Sequence, residues 1–227
     1  MADTPPAPRS WPWPWLPYVA PMAAFLLLTA AEDVWPGGYA VAYAAKVAVV
    51  TAVAWACRST WRDLAPRPGP AALGLAIALG LGIAALWVGL DPYTPRLPFQ
   101  GGARVGFDPH RLPTAGRYGF LAARLYGLVV LVPLVEELFW RSFLIRWVIN
   151  PDFTRVPVGR VTLTAAVVTA ALFALAHPEW LAALITGLAW AWLLQRTGSV
   201  SACVASHMAA NLGLGVYVLA AGAWKFW

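Results

Sequence analysis

Charge is scarce in this chain. Asp, Glu, Lys and Arg together make up 11% of its 227 residues, against 60% hydrophobic. A soluble domain carries about a quarter of its residues charged, because its core must be covered by polar surface. The shortage excludes an ordinary soluble domain and a disordered chain. Cysteine is scarcer still: Cys57 and Cys203 lie far apart inside apolar runs, which excludes a disulfide scaffold and a paired-thiol metal site. No internal repeat is visible, so nothing suggests an inverted-repeat transporter. Lys is nearly absent, with 14 Arg to 2 Lys, and Ala is abundant, a composition that points to a GC-rich bacterial genome.

Tryptophan, by contrast, is plentiful. Fourteen residues are too many for a core of this size and suit the membrane interface, where an apolar ring with one N–H donor sits well. The net charge of +6 comes from basic residues lying mostly between apolar runs, so it reads as membrane topology and not as a nucleic-acid face. The expected fold is all-α: a polytopic helical membrane bundle of seven to eight transmembrane helices.

A span needs about 20 apolar residues at about 1.5 Å rise each. Seven segments qualify as apolar runs: 18–31, 38–57, 71–90, 118–149, 161–177, 180–195 and 199–223. The fourth is overlong and contains Pro133, which lacks a backbone donor; a kink or a break there would make eight elements. Residues 1–17 (MADTPPAPRSWPWPWLP) are too proline-rich for a helix and read as an extended interfacial segment, in preference to a signal peptide. Residues 18–117 then form N-terminal transmembrane helices and a long loop, and 118–227 a catalytic transmembrane core. With the N-terminus in the cytoplasm, eight Arg fall inside; four Arg and Lys225 fall outside, those four in or beside the loop 91–116. The expected location is a bacterial inner (plasma) membrane. The 91–116 loop reads as a solvated connection, with a cap over a substrate entrance as the sharper alternative.

Ionisable groups in hydrocarbon cost about 3 kcal/mol each and mark function. They are few here: Lys46, Arg124, the cluster Glu136, Glu137 and Arg141, and His207, with His177 at a segment end. Residues four apart share a helix face, so Glu137 and Arg141 are natural ion-pair partners. Glu136 lies about 100° away round the helix, without a built-in cation, and suits a general base. The alternative is a packing clamp in which both glutamates serve Arg141 and Arg146. Phe173 and His177 share a face ended by Pro178, and His207 and Asn211 share another. A carboxylate, two imidazoles and an amide on three helices suit water-mediated hydrolysis, in which a base activates water and donors hold an oxyanion. At about 1.5 Å per residue, Glu136, His207 and Asn211 come to similar depths, whereas His177 comes out higher.

Glu136-Glu137-x-x-x-Arg141, Phe173-x-x-x-His177 and His207-x-x-x-Asn211, in this order on successive helices, resemble the three motifs of the CAAX protease and bacteriocin-processing (CPBP) family, also called the type II CAAX prenyl endopeptidase or Abi family. The resemblance covers residues 118–223. It implies a glutamate-dependent intramembrane endopeptidase acting on a membrane-associated protein or peptide, with no cofactor. By position, Glu136 is then the general base, His177 helps bind the water, and His207 and Asn211 form the oxyanion hole. Glu137, Arg141 and Phe173 are supporting. The segments 87–92 (WVGLDP) and 105–109 (VGFDP) are similar to a bacterial CAAX prenyl protease-related branch associated with exosortase and exopolysaccharide systems. That likeness implies components of such systems as partners.

Three other readings stand beside this one. Two imidazoles and a carboxylate could hold Zn²⁺ with a position left for water, although no His-Glu-x-x-His motif is present. Cys203, His207 and Asn211 at successive fours form a thiol-hydrolase-like set. A non-catalytic immunity factor or scaffold would need membrane helices but no base, imidazole and oxyanion donor together.

Overall fold

A computed structural model describes residues 11–32, 36–95 and 106–227. The first ten residues of the proposed interfacial segment, with Arg9, and loop residues 96–105, with Arg96, Arg104 and Val105, lie outside them. The described residues form helices and no strands.

Seven helices coincide with the seven apolar segments to within a few residues. They are α1 (Leu16–Glu32), α2 (Tyr39–Ala56), α3 (Pro70–Leu90), α4 (Thr114–Ile149), α5 (Leu163–Leu175), α6 (Trp180–Thr197) and α7 (Val200–Ala221). Their ends follow local chemistry. Pro70 enters α3 in its first turn, where its missing N–H has no partner to lose. The Thr162 and Ser199 hydroxyls accept the Ala165 and Ala202 amides, capping α5 and α7. Gly198, at φ 64°, closes α6 in the left-handed region, which a side chain would disfavour.

The expected count of seven to eight spans is not confirmed. Among the described residues four helices are long and apolar enough to cross a membrane: α2, α3, α4 and α7. α1 and α5 are apolar but shorter. The 13 residues of α5 span about 20 Å, short of the hydrocarbon thickness. The chain is therefore an all-helical integral membrane protein with four candidate spans.

Pro133 does not break α4, which runs unbroken for 36 residues. Two π-helical turns, Gly127–Leu131 and Leu138–Leu144, lie on either side of the short α-helical stretch that holds Pro133. Widened turns of this kind re-space the backbone bonds around a missing donor. The expectation for the Trp/Pro segment also changes at its end, since Leu16 and Pro17 already belong to α1.

α3 packs along α7, α5 along α6 and α1 along α2, while the middle of α4 touches α1, α2 and α7. The α3–α7 crossing depends on Gly80: a Cβ there would lie 2.1 Å from the Ser206 carbonyl oxygen. Small residues bring membrane helices close in this way. In the long loop, Asp108 accepts the backbone N–H of His110 at 2.9 Å and contacts its ring Nδ1, also at 2.9 Å. These hydrogen bonds hold the Asp108 carboxyl below its usual range.

Candidate active site

The second π turn of α4 carries Arg141 just after the Glu136–Glu137 pair. Glu137 and Arg141 are both fully buried, and Arg141 Nε approaches Glu137 Oε2 to 3.2 Å as an ion pair. The guanidinium nitrogens have no aligned hydrogen-bond acceptor. Its charge instead rests on two ring faces, Phe173 at 5.4 Å and Trp190 at 5.5 Å from the guanidinium carbon.

Glu137 has a second partner. Its Oε1 lies 3.0 Å from His207 Nδ1, so α4 and α7 are joined through a carboxylate shared by Arg141 and His207. Nδ1 is thereby assigned as a donor, and the remaining ring nitrogen, Nε2, is left for other chemistry. Arg146 takes a different acid. Its Nη2 donates to Asp63 Oδ2 at 2.7 Å, and Tyr18 and Ser142 hydroxyls donate to the same oxygen at 2.6 Å each. The clamp of two glutamates on Arg141 and Arg146 is thus absent: Glu137 serves Arg141, and Asp63 serves Arg146.

Glu136 is the acid left over. It is 5% exposed, forms no ion pair among the described residues, and its Oε2 has no hydrogen-bond partner. It lines a cavity of about 500 Å³, and His177, His207 and Asn211 line the same cavity. All four expected reactive side chains therefore meet one space. The helix-phase argument separated the two glutamates correctly: one is committed to an ion pair and the other faces the cavity.

His177 sits two residues beyond the end of α5. Its Nδ1 donates to the Phe173 carbonyl at 2.7 Å. Its ring lies 4.3 Å from that of Phe173 and edge-on to Trp87 at 5.7 Å. Asn211 is not held against His207. Its Nδ2 donates to the Leu128 carbonyl at 2.8 Å, inside the first π turn of α4. One of its two N–H donors is thus spent on the helix backbone and one is left.

Trp190 is the residue that sequence reasoning missed. It is 2% exposed, its ring stacks on His207 at 4.3 Å and 30°, and its Nε1–H donates to Ser206 Oγ at 3.0 Å. Phe173 touches it at 5.9 Å, so rings run His177–Phe173–Trp190–His207 across the site. Trp140 and Trp227 are also buried in the bundle. The signal was available in position: Trp190 stands inside an apolar run, whereas most other Trp lie near run ends.

Cys203 is fully buried, does not line the cavity, and points its thiol at the Trp190 carbonyl at 3.5 Å. Among the described residues no group of three His, Cys, Asp or Glu side chains is arranged to hold a metal ion.

The family model for "Rce1-like: Type II CAAX prenyl endopeptidase Rce1-like" matches residues 118–213. Over these residues the chain is similar to the Rce1-like family. The match begins in α4 and ends in α7, so it takes in all three motifs and Trp190. Comparison with curated proteins and with solved structures finds no match. The matched family is one of proteases, and the four long apolar helices place the chain in a lipid bilayer.

Proposed function

We propose that this protein is a glutamate-dependent intramembrane endopeptidase. The observation that carries the reading is that Glu136, the acid left out of every ion pair described for the site, lines the cavity together with His177, His207 and Asn211. Glu136 takes a proton from a water molecule that His177 helps to orient. The resulting hydroxide adds to the scissile carbonyl carbon, and the carbonyl oxygen becomes an oxyanion. The second N–H of Asn211 and the His207 ring then donate to that oxyanion. The C–N bond breaks as Glu136 returns its proton to the leaving nitrogen, which closes the proton balance.

Glu137 acts through others. It accepts from His207 Nδ1 and pairs with Arg141, so it fixes the imidazole and keeps the Arg141 charge from Glu136. Trp190 holds the other side of that imidazole. The likeness of segment 87–92 to the exosortase-associated branch adds exopolysaccharide-system proteins as candidate substrates or partners.

The test compares peptide termini in membranes from cells carrying wild type and Glu136→Gln. Removal of a general base lowers cleavage by about 10³-fold, so a set of new termini present with wild type should vanish. The same termini at equal abundance in both strains would overturn the assignment.

A further inference from the structure

The cavity has a second chemical pole that the proposed hydrolysis does not use. Lys46 in α2 and Arg124 in α4 both line it, and both lie on the ring of Tyr43, at 4.6 Å and 4.5 Å from its centroid. Their charges are handled differently. Lys46 is 5% exposed and paired: Nζ donates to Glu32 Oε2 at 2.8 Å and to Thr29 Oγ1 at 3.2 Å. Arg124 donates to the Tyr39 hydroxyl at 3.3 Å, and the Trp227 ring lies 5.5 Å from its guanidinium carbon. Its Nε is buried without an acceptor, and among the described residues no carboxylate lies within ion-pair distance. The other charged residues on the wall include Lys225, already held by Asp91, and Glu179, itself buried.

A cation that lines a membrane cavity without a counter-ion is costly, and it is kept where a ligand completes the pair. One uncompensated positive charge calls for one negative charge. The planar guanidinium, walled by Tyr39, Tyr43 and Trp227, offers its open edge as a fork suited to a flat carboxylate. Arg124 stands 12 residues before Glu136 on the same helix, about 18 Å along the axis, so the charge is set well away from the reacting atoms.

We infer that Arg124, buttressed by Tyr43 and the Lys46–Glu32 pair, is a subsite that binds a carboxylate of the substrate at a distance from the scissile bond. The inference rests on reading this cavity as the substrate site. An anchor of this kind selects acidic substrates and sets the register of the bond presented to Glu136.

The probe is 11-(dansylamino)undecanoate, compared with its carboxamide twin, binding to the full-length protein in phosphatidylcholine nanodiscs with empty discs as background. Wild type should bind the carboxylate about tenfold more tightly than the amide. That preference should disappear in Arg124→Gln and largely survive in Arg124→Lys, which keeps the charge. Equal affinity for the two probes in wild type, or a preference that survives in Arg124→Gln, would overturn the subsite. A preference abolished by replacing phosphatidylcholine with phosphatidylglycerol would assign the site to a lipid phosphodiester and overturn the carboxylate assignment. Glu136→Gln should retain the preference. If it does while membrane termini are the same with and without Glu136, the protease reading fails and the subsite stands.

Discussion

Two buried ionic clusters sit at opposite ends of the bundle. Asp63, Arg146, Ser142 and Tyr18 make one, at the end where α4 finishes. Three donors converge on a single Asp63 oxygen, and Arg146 also donates to the Ser142 carbonyl and lies over the Phe153 ring at 5.2 Å. None of these four residues lines the large cavity. Glu32, Lys46 and Arg124 make the other, at the end where α4 begins, and all three line that cavity. One Glu32 oxygen and the Arg124 Nε lack partners there. Both clusters cost desolvation. The first recovers it through internal hydrogen bonds, which is how a structural clamp is built; the second leaves capacity unused beside an open space, as a binding site does.

The sharpest way to break this contrast is at the closed end. Asp63→Ala leaves Arg146 buried at 5% exposure with its acid removed, and an uncompensated buried charge costs about 3 to 5 kcal/mol. Unfolding titrated in detergent micelles should show that loss. A loss under about 1 kcal/mol would mean that the network is not a clamp. At the open end, Glu32→Gln removes the Lys46 counter-charge but keeps an acceptor. Water in the cavity can reach Lys46, so the cost should be nearer about 1 kcal/mol in the same titration. If Glu32→Gln proved as damaging as Asp63→Ala, the two ends would be equivalent and the binding-site reading would weaken.

The same contrast explains what could be read from the residues alone. Helix positions were legible because apolar runs and their Gly and Pro boundaries are local features, and all seven were located. Span number was not, because α5 is apolar yet only 13 residues long, and neighbours decide how so short a helix is accommodated. The Glu137–Arg141 pair was legible because both residues lie on one helix at a fixed phase. Glu137–His207, Asn211–Leu128 and Asp63–Arg146 join residues 70, 83 and 83 positions apart, and helix periodicity carries no information about such partners. Asp63 sits in the short 3-10 helix Arg58–Leu64, outside every apolar run, so a search for charges inside spans passed over it.

The smallest expected effect bears hardest on the comparison. Arg124 holds no internal carboxylate, so Arg124→Gln forfeits little beyond one long hydrogen bond and two ring contacts. Partly exposed cation–π contacts are worth about 0.5 to 1 kcal/mol each, and removing an unpaired charge from the cavity returns desolvation energy of the opposite sign. The net change in unfolding free energy should therefore stay below about 1 kcal/mol, and could favour the variant. Near-zero cost to the fold, with loss of the carboxylate preference, is what distinguishes a residue kept for binding from one kept for packing. A loss comparable to that of Asp63→Ala would place Arg124 among the structural cations and leave the open end of the bundle without its ligand.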